Sequence, residues 1–215
     1  MDARDAWLAG DPTEDPLPAL AAWLREARDA GVVEPDAATL ATVDPDGRPS
    51  ARIVLLRGLD VGTGQLLFYT NRRSRKGMAL AAHPYASLVL YWDSLGRQVR
   101  IDGPVSLASG AESDAYFAAR HPDSRIAAAA SDQSEAIDSR ATLIARFDAV
   151  RERFGSADAV PRPPHWGGYR LWIERIEFWA SRPHRLHDRL AWRRSLAANG
   201  DGFRAGPWSA MRLMP

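Results

Sequence analysis

The chain has 215 residues, 46% hydrophobic and 26% charged, the profile of a soluble globular domain able to bury a core without covalent staples. Its 28 Lys and Arg nearly balance 27 Asp and Glu, giving a formal charge of +1, which excludes a general affinity for nucleic acid or an anionic membrane. The absence of cysteine excludes disulfides and thiolate chemistry and fits a cytoplasmic setting.

Met1 to Glu14 reads as a loose polar arm, without the apolar stretch of a signal peptide. Asp15-Pro16 then offers a cap and a first-turn proline. Leu17, Leu20, Leu24 and Ala27 mark the apolar face of a helix that Gly31 stops. Thr39 to Val43 and Pro49 to Leu56 form a hairpin around Asp44-Pro45-Asp46-Gly47. Leu66 to Thr70 is a strand, and a polar loop leads from it to a short helix over Arg75 to Ala82. Ala86 to Trp92 and Arg97 to Asp102 form a second hairpin, which Val105 to Leu107 extends. Ser109 and Glu112 fit a capping box for a helix reaching about Arg120, which Pro122 ends. Leu143, Phe147, Val150 and Phe154 stripe a further helix. After a proline-rich connector, Tyr169 to Trp179, Arg189 to Arg193 and Trp208 to Leu213 read as closing strands. The whole is one domain, residues 1–215, mainly β with inserted helices: a barrel with helical excursions rather than a doubly wound sheet. No apolar run reaches membrane-spanning length. No Walker loop, GxGxxG, GxSxG or metal-ligand spacing occurs, so no metal is expected.

Four stretches concentrate groups able to do chemistry. Arg52 to Arg57 is a strand whose two arginines face opposite ways. Phe68 to Lys76 packs cations and hydroxyls between a strand and a helix start, which suits a phosphate site or equally a solvated loop. Tyr116 and Arg120 share a helix face with Ser124 just beyond, a second candidate anion site or a capped core with a solvated arginine. Arg185, His187 and Arg189 alternate and in a strand would line one face, so a ligand lies there or the segment is a charged edge.

Taken together, RIVLLR, FYTNRRSRK, RQVRIDGPV, Tyr116/Arg120/Ser124 with Gln133-Ser134, WGGYR and IEFWASRPHRLHDR resemble the pyridoxine/pyridoxamine 5′-phosphate oxidase family, in its order and over roughly residues 15–215. The resemblance implies a split β-barrel working as a homodimer with FMN at the interface. It implies oxidation of pyridoxine 5′-phosphate or pyridoxamine 5′-phosphate to pyridoxal 5′-phosphate by O2, with release of hydrogen peroxide. By the same resemblance Arg52, Ile53, Val54, Leu55, Leu56 and Arg57 line the flavin. Tyr69, Thr70, Arg75 and Lys76 hold FMN, with the two cations nearest its phosphate. Gln98, Gln133, Ser134, Trp179 and Arg189 complete the cofactor site. Arg57, Tyr116, Arg120 and Ser124 grip the substrate phosphate, and the catalytic pair Arg185 and His187 lies over the pyridine ring.

Three features depart from the family pattern. Arg57 replaces the usual Lys, the N-terminal arm lacks the usual Arg and Tyr, and Arg125 to Ala130 lacks the usual Gly and Trp. These bear on the substrate more than on FMN. An FMN oxidase of phenazine-type natural-product biosynthesis is the nearest rival, and a non-catalytic flavin-binding barrel a further one.

Overall fold

A computed structural model describes residues 3–12 and 14–215. Helix α1 (Leu17–Asp29) starts where the Leu17 N–H donates to the Asp15 carboxylate at 2.9 Å, and the chain leaves it through Gly31 at φ +71°. Strands β1 (Ala37–Val43) and β2 (Pro49–Leu55) pair antiparallel around Gly47 at φ +84°. Then come β3 (Gly58–Asp60), β4 (Gln65–Asn71), α2 (Arg75–Ala82), β5 (Tyr85–Trp92) and β6 (Arg97–Leu107). Three helices follow: α3 (Gly110–Ala118), α4 (Pro122–Ala130) and α5 (Arg140–Phe154). The chain closes with β7 (Trp166–Trp172), β8 (Arg175–Ala180), β9 (Asp188–Arg193), β10 (Leu196–Asn199), β11 (Gly202–Ala205) and β12 (Ser209–Arg212).

The main sheet runs β12-β9-β8-β6-β5-β1-β2. Strand β6 is long enough to serve two neighbourhoods. Residues 97–102 pair with β8, and residues 105–107 pair with β7, which carries β4 and β3. The sheet therefore curls on itself around one core. That core takes one face of each strand, with Leu40, Leu88, Val99, Ile101 and Phe178 all essentially sealed. Helix α1 plugs it with Leu17, Leu20, Trp23 and Leu24. Trp23 meets Phe178 edge-on at 5.0 Å, the offset geometry that ring quadrupoles favour. This is the expected mainly β architecture with inserted helices.

Several sequence expectations need correction. The expected loose arm is held at points among its described residues: Leu8 is sealed in the core and Asp5 pairs with Arg97 at 2.7 Å. Met1, Asp2 and Thr13 of that arm lie outside the described residues. Pro122 does not merely end a helix; it occupies the first turn of α4, where a missing N–H costs nothing. Residues 169–179 form two strands, not one, because the chain turns at Ile173-Glu174. Arg185 and His187 are not alternating strand positions. They sit in a turn with His184 and Arg185 at φ +59° and +62°, and β9 begins only at Asp188. The hairpin of β10 and β11 and the short β3 went unread, being too short for a pattern.

Candidate active site

A cavity of about 410 Å³ opens between β2, β4 and the helices α2, α3 and α4. Its floor is Ile53, Val54 and Leu55 of β2, together with Arg57 just beyond that strand. Tyr69, Thr70 and Asn71 come from the end of β4, and Lys76 from the first turn of α2. Tyr116 projects from α3, Arg120 and Ser124 flank the α3–α4 junction, and Gln133 closes the rim. Most of the residues expected from sequence thus converge across a chain separation of 80 positions, from Ile53 to Gln133.

Cations in this cavity lack anionic partners. The Lys76 ammonium donates to the Gln133 side-chain oxygen at 2.8 Å, to the Thr70 hydroxyl at 3.2 Å and to the Ser74 hydroxyl at 3.3 Å, all neutral. Burial, with Arg52 nearby adding to it, pushes its pKa down to about 8. Ser74 caps α2, so that helix start also faces this corner with free N–H dipoles. At the other end Arg120 stacks over the Trp166 ring at 4.7 Å, and one of its terminal nitrogens is buried without a partner. Burial lowers the Arg120 pKa, Tyr116 opposes that, and Arg57 adds to it. Among the described residues no carboxylate pairs with Arg57, Lys76 or Arg120. Leaving charge unmatched in a half-buried pocket is costly unless an anion arrives.

The wall between these two corners is aromatic. Tyr69 and Tyr116 lie parallel with centroids 3.9 Å apart, and Trp166 continues the stack 5.4 Å from Tyr69. Gly168 makes this possible, because a Cβ there would come within 2.8 Å of the Tyr69 ring. Trp166 belongs to the WGGYR motif but has no role among the residues expected from sequence; an aromatic beside paired glycines is the signal that could have found it.

Other expected residues lie outside this lining. Arg52 faces inward, bonded to the Leu40 carbonyl at 3.2 Å and the Thr42 hydroxyl at 2.7 Å. Leu56 is buried in the core. Arg75 reaches back to Asp44 at 2.5 Å, and Ser134 is exposed at φ +78°.

The remaining set forms a second group on the outer face of the sheet. Register places Gln98, Trp179 and Arg189 in one cross-strand row over β6, β8 and β9. The His187 ring lies against Trp179 with centroids 4.6 Å apart. The Arg182 N–H donates to His187 Nδ1 at 3.1 Å, so a neutral ring carries its proton on Nε2. Arg182 is itself tied to Asp188 at 2.7 Å, and Arg189 to Glu177 at 2.8 Å. Ile53 shares this outer face through the chain of partners Thr39, Val89, Arg100 and Glu177. From Ile53 on β2, Gln98, Trp179 and Arg189 are therefore three, four and five strand spacings away, about 14–24 Å along the sheet. Outward side chains on a curled sheet diverge, so one chain does not fold the groups around a single ring.

Comparison with known proteins supplies the context. Residues 24–154 match the family model described as pyridoxamine 5′-phosphate oxidase, and residues 166–215 match the one described as the pyridoxine 5′-phosphate oxidase C-terminal dimerisation region. A pyridoxine/pyridoxamine 5′-phosphate oxidase of Burkholderia cenocepacia is 54% identical over 95% of this chain and 91% of its own. Pyridoxine/pyridoxamine 5′-phosphate oxidase 1 of Ralstonia nicotianae is 51% identical over 99% and 95%. The crystal structure of PhzG from Burkholderia lata, in complex with tetrahydrophenazine-1-carboxylic acid, superposes with a TM-score of 0.83 at 34% identity, covering 95% of each chain. An FMN-binding protein of Nostoc punctiforme, 21% identical with a TM-score of 0.74 over 95% of this chain and 100% of its own, shares the fold.

Proposed function

Because this chain belongs to the pyridoxine/pyridoxamine 5′-phosphate oxidase family, we propose that it is an FMN-dependent oxidase making pyridoxal 5′-phosphate. Pyridoxine 5′-phosphate and O2 give the aldehyde and hydrogen peroxide; pyridoxamine 5′-phosphate, O2 and water give the aldehyde, ammonia and hydrogen peroxide. The observation that carries this reading is the pair of uncompensated cation corners in one cavity, joined by an aromatic wall. Two phosphate-bearing rings need such a pair of corners, while a single anion needs only one.

The residues present fit FMN. Lys76 is a partly desolvated cation surrounded by neutral acceptors, and the Ser74-capped helix start adds N–H dipoles of the same sign. Tyr69, Thr70, Lys76 and Gln133 would hold the cofactor, with Ile53 to Leu55 against its ring. When bound, FMN would supply the redox chemistry of the net oxidation by O2. The chain's own work is binding and orientation. Arg120, Arg57, Tyr116 and Ser124 take the substrate phosphate, fixing the far end of the ring. Arg185 and His187 cover the pyridine ring, His187 offering its Nε2 proton as a donor while Nδ1 stays engaged. Gln98, Trp179 and Arg189 stand beside them in the cross-strand row.

These last residues are too far along the sheet to act on their own chain's cavity. We therefore place them over the cavity of a second copy, in a two-fold homodimer with two equivalent sites. The decisive assay adds FMN and compares peroxide release from pyridoxine phosphate, pyridoxamine phosphate and a dihydrophenazine carboxylate under air. Turnover of the phosphates is expected; turnover of the tricycle alone would move the protein to phenazine-type chemistry. In the same assay Arg185→Ala should cut turnover and leave FMN bound, and unchanged turnover would defeat its role.

A further inference from the structure

Arg120 is an unusual phosphate ligand in that nothing charged holds it. Among the described residues it has no carboxylate partner, and one of its terminal nitrogens is buried and unbonded. What positions its guanidinium is aromatic surface. It lies over the Trp166 ring at 4.7 Å and more loosely over Phe117 at 5.6 Å. Trp166 is 6% exposed and is held on several sides. Phe117 meets it edge-on at 5.1 Å, and Tyr69 and Tyr116 stack parallel to it within 9° and 3°. Its carbonyl accepts from Arg162 at 2.7 Å, and Arg162 is tied to Asp114 of α3 at 2.6 Å. That tie couples the start of β7 to the helix that carries Tyr116.

We infer that Trp166 is a positioning residue that confers selectivity for phosphorylated substrates, by fixing Arg120 through a cation–π contact instead of an ion pair. The inference rests on the reading above that Arg120 takes the substrate phosphate. A carboxylate in the place of Trp166 would orient Arg120 equally well but would neutralise it and repel the incoming dianion. An indole orients the guanidinium and leaves its full charge, and its free N–H donors, for the phosphate. The contact is also worth more where it is partly withdrawn from water, as between this buried indole and half-buried guanidinium. The neighbouring rings hold the indole plane in place, so Arg120 is aimed before substrate arrives.

The test uses the FMN-loaded enzyme and measures dissociation constants of pyridoxal 5′-phosphate and of unphosphorylated pyridoxal by equilibrium dialysis, alongside KM and kcat for pyridoxamine 5′-phosphate. In Trp166→Leu the constant for the phosphate should rise about tenfold, with KM following and kcat held within about twofold. The constant for pyridoxal should stay within about twofold. Trp166→Phe keeps a ring face and should recover most of the loss. Should Trp166→Leu fail to fold, a double-mutant cycle serves instead. Trp166→Phe should weaken phosphate binding by about two- to threefold alone, and by nothing further once Arg120 is replaced by Met. Equal weakening of both ligands, or of neither, overturns the role of Trp166. A wild-type enzyme with no preference for the phosphate overturns the site assignment itself, a separate result visible before any variant is made.

Discussion

The arginines and lysine of the cavity differ from those of the β6–β8–β9 face in what neutralises them. On the outer face Arg189 pairs with Glu177 and Arg182 with Asp188, and at the buried start of β6 Arg97 is held by Asp5 and Glu26 at 2.7 Å each. In the cavity Lys76 meets hydroxyls and an amide and Arg120 meets ring faces, and neither they nor Arg57 pair with a carboxylate among the described residues. Ion pairs orient a cation in advance, whether it braces the fold as Arg97 does or faces a second copy's cavity as we propose for Arg189, and uncompensated cations await a ligand. The difference teaches which charges are already matched and which are left open for binding, although the sequence shows both as scattered basic residues.

The largest effect that could break this contrast comes from mixing subunits. Arg120→Met and Arg185→Ala chains, each nearly inactive alone, should on refolding together recover about a quarter of wild-type activity. Half of the dimers are hybrids, and each hybrid has one intact site. No recovery would mean that both groups serve the same chain's site. Next is Arg97→Met, which strands Asp5 at 5% exposure and should cost about 3–5 kcal/mol in denaturant unfolding, with FMN affinity of the folded protein unchanged. Lys76→Met should do the reverse, weakening FMN between about tenfold and a hundredfold in a fluorescence titration without lowering stability. Arg75→Gln removes a cation already spent on Asp44 and should weaken FMN far less than Lys76→Met does.

The smallest effect is a pH dependence. The Lys76 pKa, about 8 in the folded chain without ligand, lies below the ordinary lysine value of 10.5. The unfolded chain therefore binds the proton more readily between those values. The cost of the buried charge is present in full below about pH 8 and fades as pH rises toward 10.5, so this group stabilises the ligand-free fold with rising pH. FMN binding needs the proton and moves the opposite way. Affinity should fall about tenfold from pH 7 to pH 9, and Lys76→Met should flatten that profile. An unchanged profile in the variant would assign the titration elsewhere.

Much of the fold and site was legible from local rules. Asp44 to Gly47 and the Ser109–Glu112 box each mark an element end through their own backbone chemistry and stand where they were expected, whereas at Asp15-Pro16 the helix begins one residue later than expected, at Leu17. The helix over Arg140–Phe154 was legible too, but its apolar stripe did not foretell full burial: none of residues 140–154 is buried, and Phe147, Val150 and Phe154 are only partly covered although α4 lies alongside. Short elements such as β3 carry too few residues to show a period. The turn at His184 and Arg185 hid behind an alternating pattern, because spacing cannot reveal a positive φ in residues that seldom adopt one.

Residue types, caps and periodicity, all set by neighbours within a few positions, determined the order of strands and helices, and the motifs carried the family resemblance. Tertiary structure alone decided which cations are matched and which are left open, because an ion pair such as Asp5 with Arg97 joins residues that only folding brings together. It also decided that Trp166 faces Arg120, and that Ile53 and Trp179 share one face yet lie four strands apart. Charge compensation and distance depend on how the sheet curls, and no stretch of sequence records that by itself.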